Sequence, residues 1–218
     1  MTSTERSGRI LAELVSAYGR TYAEEAGIRL RDTPQPLYRL LVLAVLLSAR
    51  IRASVAVAAA RALHESGLDT PRRTADADWQ DRVDALGRGG YRRYDERTAT
   101  QLGGGAELLI ERWGGDLRRM RAEADGDVGE LRRLLQEIPG LGPAGADIFL
   151  REVQRVWREV APYLDGKALS GAERLGLPQD PARLLELAGD TEPAVLAAGL
   201  VRAALDKQVT EDSLRRAA

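Results

Sequence analysis

Apolar residues recur at three- and four-residue intervals almost from end to end of this chain, the spacing of helices that each bury one face. Over residues 6–25, Ile10, Leu11, Leu14, Val15 and Tyr18 fall on one side. Thr33-Pro34-Gln35-Pro36 interrupts the pattern and opens a strongly apolar helix ending near Ala49, because proline fits the first helical turn but not the interior. An Ala-rich helix is expected over 53–65, closed by Gly67, and a short amphipathic one over 76–86, ended by Gly87-Arg88-Gly89-Gly90. The next, over 94–113, carries Gly103-Gly104-Gly105. Each glycine forfeits about 1 kcal/mol of helix propensity, so a break or bend is expected there. Asp116 and Asp127 are N-cap candidates for helices over 116–122 and 127–137. After a tight turn at 138–143, a long helix is expected over 144–160, stopped by Pro162. Asp165 is placed to cap a short helix ending near Gly176. Pro178 and Pro181 frame another start, and the last helix is expected over 196–209. No stretch alternates as a strand would, so the fold class is all-α.

Composition narrows the chemistry. The chain has 218 residues, 44% of them hydrophobic, enough for one globular unit or two interleaved lobes with a buried core. There is no cysteine, which removes disulfides, thiolate zinc sites, thiolate-held iron–sulfur clusters and cysteine nucleophiles. The single histidine, His64, lies near a helix end and reads as a surface or capping residue. Multi-histidine metal sites and serine–histidine catalysis are therefore not expected, and carboxylates, hydroxyls, backbone amides and basic side chains must carry any chemistry. Trp79, Trp113 and Trp157 read as packing residues. The apolar run 40–49 is about half the length needed to span a bilayer, and the start of the chain is polar. The expectation is a cytoplasmic, nucleoid-associated protein with no membrane contact.

The net charge of −1 argues against binding polyanions by bulk attraction. Of the 32 basic residues only Lys167 and Lys207 are lysines, a bias that follows GC-rich coding and also suits bidentate contacts to phosphate.

The most informative stretch is Ile138-Pro139-Gly140-Leu141-Gly142-Pro143-Ala144-Gly145. Two glycines around one apolar residue let the backbone reverse between helices, with positive φ available where a side chain would clash. Leu141 is then free to tuck inward while the amides around Gly140 and Gly142 face outward at the start of the next helix. Exposed amides at the positive end of a helix dipole cradle a phosphate without any basic side chain. An ordinary connection with a glycine C-cap and a proline at N1 would have the same sequence.

Three segments in order resemble the helix-hairpin-helix glycosylase superfamily, whose best-known member is endonuclease III. They are Val45-Leu46-Leu47-Ser48-Ala49-Arg50, similar to the family's LLSAQ helix end; Gly89-Gly90-Tyr91-Arg92-Arg93-Tyr94 with Arg97 after it, similar to the loop and helix start that lie on DNA; and the hairpin Ile138-Pro139-Gly140-Leu141-Gly142. Leu164-Asp165 sits about one helix downstream, where the family keeps its catalytic aspartate. The resemblance covers roughly residues 10–205. It implies two helical lobes with a cleft between them: a central lobe, 33–143, that includes the hairpin, and a second lobe made of 1–32 plus 144–218.

The departures shape what the resemblance implies. Bifunctional members carry a lysine two residues after the second hairpin glycine, where this chain has Ala144, so no Schiff base forms there. The iron–sulfur loop is missing, and the family's glutamine is Arg50. The spacing from hairpin to Asp165, and Lys167 after it, are closer to the monofunctional thymine glycosylase of the methyl-CpG-binding type. The implied activity is monofunctional base excision from double-stranded DNA: a nucleotide is flipped out and its N-glycosidic bond hydrolysed, with Asp165 stabilising the oxocarbenium-like state and orienting or deprotonating water. The implied DNA contacts are Gly140, Leu141, Gly142, Ala144 and Gly145 of the hairpin, the rim residues Arg50, Tyr91, Arg92 and Arg93, and Lys167. Asp165 could equally be a plain helix cap, Tyr91 could pack on a neighbouring helix, and Lys167 could be an exposed cation. No iron–sulfur cluster, catalytic metal or protein partner is expected, and the bend leaves room for a monovalent cation. Two other readings stay open: a DNA-binding helix-hairpin-helix protein without turnover, and a helical interaction domain in which the hairpin is only a turn.

Overall fold

The structure, a computed structural model, describes residues 2–218. Fourteen α-helices and one 3-10 turn account for its regular structure, with no strand among the described residues. The chain is all-α.

The first helix, α1 (Ser3–Tyr18), ends sooner than the periodicity suggests, and α2 is a separate turn (Tyr22–Glu25). A Cβ on Gly19 would lie 2.7 Å from Val195 Cγ1, so the chain leaves α1 where another helix comes closest. α3 (Pro34–Ser48) and α4 (Ala53–Glu65) fall where expected. The helix expected over 76–86 is α6 (Trp79–Arg88), and a short helix that was not expected, α5 (Pro71–Asp76), capped by the Thr70 hydroxyl, precedes it. α7 (Asp95–Trp113) runs unbroken through its three glycines, against expectation. Its neighbours explain why. A Cβ on Gly103 would lie 2.8 Å from Arg82 Nη2, and one on Gly105 would lie 3.1 Å from Ile138 Cγ2. The glycines lower propensity, but they admit a buried guanidinium and the hairpin against the helix, and tertiary packing outweighs propensity.

α8 (Leu117–Glu123) and α9 (Val128–Leu135) start at Asp116 and Asp127, whose carboxylates accept from Arg118 N–H and from Gly129 and Glu130 N–H. α10 (Pro143–Val153) is shorter than the expected 144–160. Past it the chain turns inward, burying Trp157, whose indole N–H donates to Asp32 Oδ1 at 2.9 Å. The 3-10 turn Arg158–Val160 follows, then α11 (Gly166–Arg174) and α12 (Pro181–Ala188). The expected last helix is two, α13 (Pro193–Leu205) and α14 (Lys207–Arg216). They part at Asp206, which is extended (φ −132°, ψ 118°) and accepts from Gln208 N–H.

The chain divides into two compact units, Ala23–Glu159 and Met1–Tyr22 with Val160–Ala218. Both termini share one unit, but its boundaries differ from 1–32 plus 144–218. Residues 23–32 and 144–159 belong to the central unit because α10 packs on α3 and Trp157 is tied to Asp32.

In the central unit α3 is buried along most of its length, Leu37, Tyr38 and residues 40–46 showing almost no exposed surface, and α4 and α10 pack against it. Arg82 of α6 is 9% exposed and donates to three carbonyls, those of Thr74, Ala77 and Ala99, at 2.7–3.0 Å. That satisfies most of a buried fork without a carboxylate. The core of the terminal unit gathers Leu11, Leu14, Leu164, Leu175, Leu196 and Leu200. α11 lies so close on α13 that a Cβ at Gly171 would sit 1.8 Å from Leu200 O. This contact sets the position of α11 and of the residue that caps it.

Candidate nucleic-acid interface

The hairpin joins α9 to α10 within the central unit. Gly140 takes φ +85°, a conformation that costs other residues roughly 1–2 kcal/mol. The turn closes with Leu141 N–H donating to Ile138 O at 3.0 Å, and Leu141 is 1% exposed. It tucks inward as expected. Arg132 of α9 pairs with Asp147 of α10, Nε to Oδ1 at 2.7 Å, and so bridges the two arms of the hairpin.

Gly142 is the N-cap of α10 and, with no side chain, leaves the helix start uncapped; Pro143 follows at N1. The N–H groups of Gly142 and Ala144 have no acceptor among the described residues, and both residues are exposed. Open amides therefore stand at the positive end of α10. Gly145 departs from its expected role as an exposed contact. It is buried, and a Cβ there would lie 2.8 Å from Leu141 Cδ1. Its lack of a side chain is what lets Leu141 seat.

Beside the bend lies a pocket of about 370 Å³ built wholly from the central unit. The end of α3 supplies Val45, Ser48, Ala49 and Arg50, the loop before α7 supplies Tyr91 and Tyr94, α7 supplies Arg97, Thr98 and Gln101, and the hairpin supplies Gly140. The three segments that stand apart in the sequence thus meet at one concavity. Its cations and amide are unengaged: the side chains of Arg50, Arg97 and Gln101 make no hydrogen bond or ion pair with the described residues, and no acidic side chain is in the lining. Some arginines elsewhere are matched, as Arg118 is by Asp116 and Arg133 by Glu130 and Glu137.

Tyr91 corrects a second expectation. It is 1% exposed, with its hydroxyl 3.2 Å from Thr98 Oγ1, so it belongs to the pocket wall rather than to an exposed rim. Burial pushes its phenol above the ordinary value, the Thr98 hydroxyl opposing. The ring therefore acts as a neutral wall. Arg50, Arg92 and Arg93 are exposed, and the Arg93 guanidinium lies 5.2 Å from the Tyr94 ring centroid. Gln101, Thr98 and Ser48 escape the sequence motifs. A signal for Gln101 was present, since it follows Arg97 by four residues and shares its helix face.

Asp165 lies in the terminal unit as the N-cap of α11, Oδ1 accepting from Ala168 N–H at 3.2 Å. It is half-buried, and Lys167 is exposed. His64 is partly exposed, its Nδ1 3.3 Å from Asp69. Trp113 and Trp157 are buried packing residues, whereas Trp79 is 41% exposed and donates to Thr100 Oγ1. The described residues include no group of three or more His, Asp or Glu placed to hold a metal ion, and no helix long and apolar enough to cross a membrane.

No protein-family model matches the sequence, and no curated protein does. The fold is similar to that of a solved structure of a trapped endonuclease III–DNA covalent intermediate, an estranged-adenine complex. The TM-score is 0.53 at 18% identity, covering 93% of this chain and 86% of that one. The all-helical fold is therefore shared with that structure along most of the chain.

Proposed function

We propose that the protein is a monofunctional DNA N-glycosylase that removes a flipped, damaged or mismatched base from double-stranded DNA. The observation that carries this reading is the meeting of the three separated segments at one unengaged, cationic pocket beside an uncapped helix start. The Gly142 and Ala144 amides grip the sugar-phosphate backbone, and Arg50, Arg92 and Arg93 add charge where the lining holds none of the opposite sign. Such contacts offset the few kcal/mol that extruding a nucleotide costs.

Asp165 is the catalytic carboxylate of this reading. As the glycosidic bond breaks, its negative charge stabilises the positive sugar, and it accepts a proton from the attacking water. The products are the free base and an abasic site. Ala144 has no amine, so no covalent enzyme–sugar adduct forms there and the strand stays intact. For a monovalent cation the bend has backbone carbonyls to offer, that of Ile138 already accepting from Leu141 N–H, and no step of the reaction needs the ion. The setting is cytoplasmic and nucleoid-associated.

One observation favours a DNA-binding protein without turnover: Asp165 already caps α11. The two readings part on a panel of damaged and mismatched duplexes resolved on gels with and without alkali. Excision predicts alkali-dependent strand breaks that Asp165→Asn reduces at least a hundredfold, while the melting temperature holds because Asn is an equally good cap. Duplex binding with no base release from any member of the panel establishes the second reading, and breaks without alkali that borohydride traps overturn the monofunctional assignment.

A further inference from the structure

The outward face of α6 and α7, wholly within the central unit, leaves an indole uncovered among carboxylates. We infer that this face docks an arginine-bearing segment of a partner protein, with Trp79 as the anchor. The inference is independent of base excision, and it adds a protein partner where the sequence led us to expect none.

Trp79 opens α6 and is 41% exposed. Its indole N–H donates to Thr100 Oγ1 at 3.1 Å, which ties the ring to α7 while the rest of it stays open to solvent. A tryptophan held in place offers a large contact area with little freedom left to lose, the property of residues that dominate protein interfaces. The other two tryptophans each have an arginine over the ring, Arg112 at 4.5 Å from the centroid of Trp113 and Arg121 at 5.2 Å from that of Trp157. Among the described residues Trp79 has no such cation, so the seat that the chain fills elsewhere is vacant here.

The surrounding charge selects what fills it. Residues 76–87 and 98–111 hold six carboxylates and one basic side chain, Arg82, and Arg82 is buried against three carbonyls. Asp78 precedes Trp79, and Glu96 and Glu107 lie four residues before and seven after Thr100, on the same helix face. All three are exposed, and their carboxylates make no hydrogen bond or ion pair with the described residues. Such a face repels nucleic acid. A purely apolar segment would use the ring and leave the carboxylates unmatched. A guanidinium satisfies both, its plane stacking on the indole and its N–H fork reaching the acids.

The test is an NMR titration of the full chain with a capped peptide of four Gly-Arg repeats, with the corresponding Gly-Lys and Gly-Ser peptides as comparisons. The indole signal of Trp79 is identified as the one that Trp79→Phe removes. It is expected to shift saturably with a Kd of about 1 mM or tighter at low salt, more weakly as salt is raised, while the indoles of Trp113 and Trp157 stay in place. The lysine peptide should bind about threefold more weakly, having no plane to stack, and the serine peptide should not bind. Trp79→Ala, and separately Glu96→Gln with Glu107→Gln, should each weaken the arginine peptide about fivefold, read from the backbone amides of α7. The glutamine pair removes no contact within the protein, so it tests the face even where Trp79→Ala disturbs the fold. No shift up to about 10 mM, or unweakened binding by the glutamine pair, overturns the docking face. A lysine peptide that binds as tightly as the arginine one overturns the choice of arginine. A dimer of the chain alone, seen by sedimentation and dissolved by Trp79→Ala, gives the face to a second copy and overturns the separate partner. None of these results touches base excision, which is read from the abasic product.

Discussion

Two glycine-rich stretches, Gly103–Gly105 in α7 and Gly140–Gly142 in the hairpin, look alike on paper and do opposite things. In α7 the glycines keep ordinary helical backbone, and two of the three serve through the space they leave, Gly103 for the Arg82 guanidinium and Gly105 for Ile138. In the hairpin Gly140 works through its backbone, at φ +85°, and Gly142 through what it leaves uncovered, an uncapped and exposed helix start. The stretches also touch: a Cβ on Gly105 would approach the hairpin's Ile138, and one on Gly104 would lie 3.9 Å from Pro139. One set of glycines holds the bend in place and the other makes the bend. The same residue type thus makes room for neighbours in one setting and shapes the backbone in the other, and substitution can separate the two.

The largest effect is expected at Gly103. Alanine there would push on Arg82, whose fork is not free to swing away because it is buried and tied to three carbonyls. Losing one or two hydrogen bonds to a buried charge costs about 2–3 kcal/mol, read as a lower urea midpoint with unchanged slope. An unaltered midpoint would mean that the space at Gly103 is not used.

Next is Gly140→Ala. The left-handed backbone and contact with Gln101 at 3.0 Å predict a loss of about 1–2 kcal/mol. On the proposed function, DNA affinity should fall by at least about tenfold, because relieving the strain moves the amides. Gly104→Ala goes the other way. Its Cβ would be in ordinary contact, nearest Pro139 at 3.9 Å, so the gain in helix propensity should appear as about 0.5–1 kcal/mol of added stability. Alanine at neighbouring positions of one helix should therefore shift the melting temperature in opposite directions.

These contrasts also show what the sequence could and could not reveal. α3 and α4 were legible because their punctuation is local, a Pro-containing start in one and a glycine just past the end of the other. The inward Leu141, the outward amides and the capping role of Asp165 were legible for the same reason: each follows from residues within a turn of the feature. The unbroken α7 was not, because the groups that fill the space beside its glycines, Arg82 and Ile138, lie about 20 and 35 positions away and periodicity carries no information about them. Gly145 was misread, and Tyr91 was left open between an exposed rim and packing on a neighbouring helix, for a related reason. An aromatic in a polar loop, or a glycine in a glycine-rich turn, gives no sign of its burial until Thr98 or Leu141 is brought against it.

Gly142→Ala is the smallest expected change in stability and the sharpest test of the comparison. The residue sits at φ −74° and ψ −173°, a backbone that any side chain adopts, and an added Cβ would meet nothing within 4 Å. Nothing in the packing resists alanine, and restricting the unfolded chain even favours it slightly, so the melting temperature should stay within about 2 °C, or about 0.5 kcal/mol. The methyl group would nevertheless stand beside the open amides at the start of α10. If those amides bind phosphate, duplex affinity should drop about fivefold, the worth of one hydrogen bond, with no loss of fold to account for it. An affinity equal to that of the parent would show that the exposed helix start is not a contact surface, leaving Gly140 as a turn residue and the two glycine stretches alike in serving only the architecture.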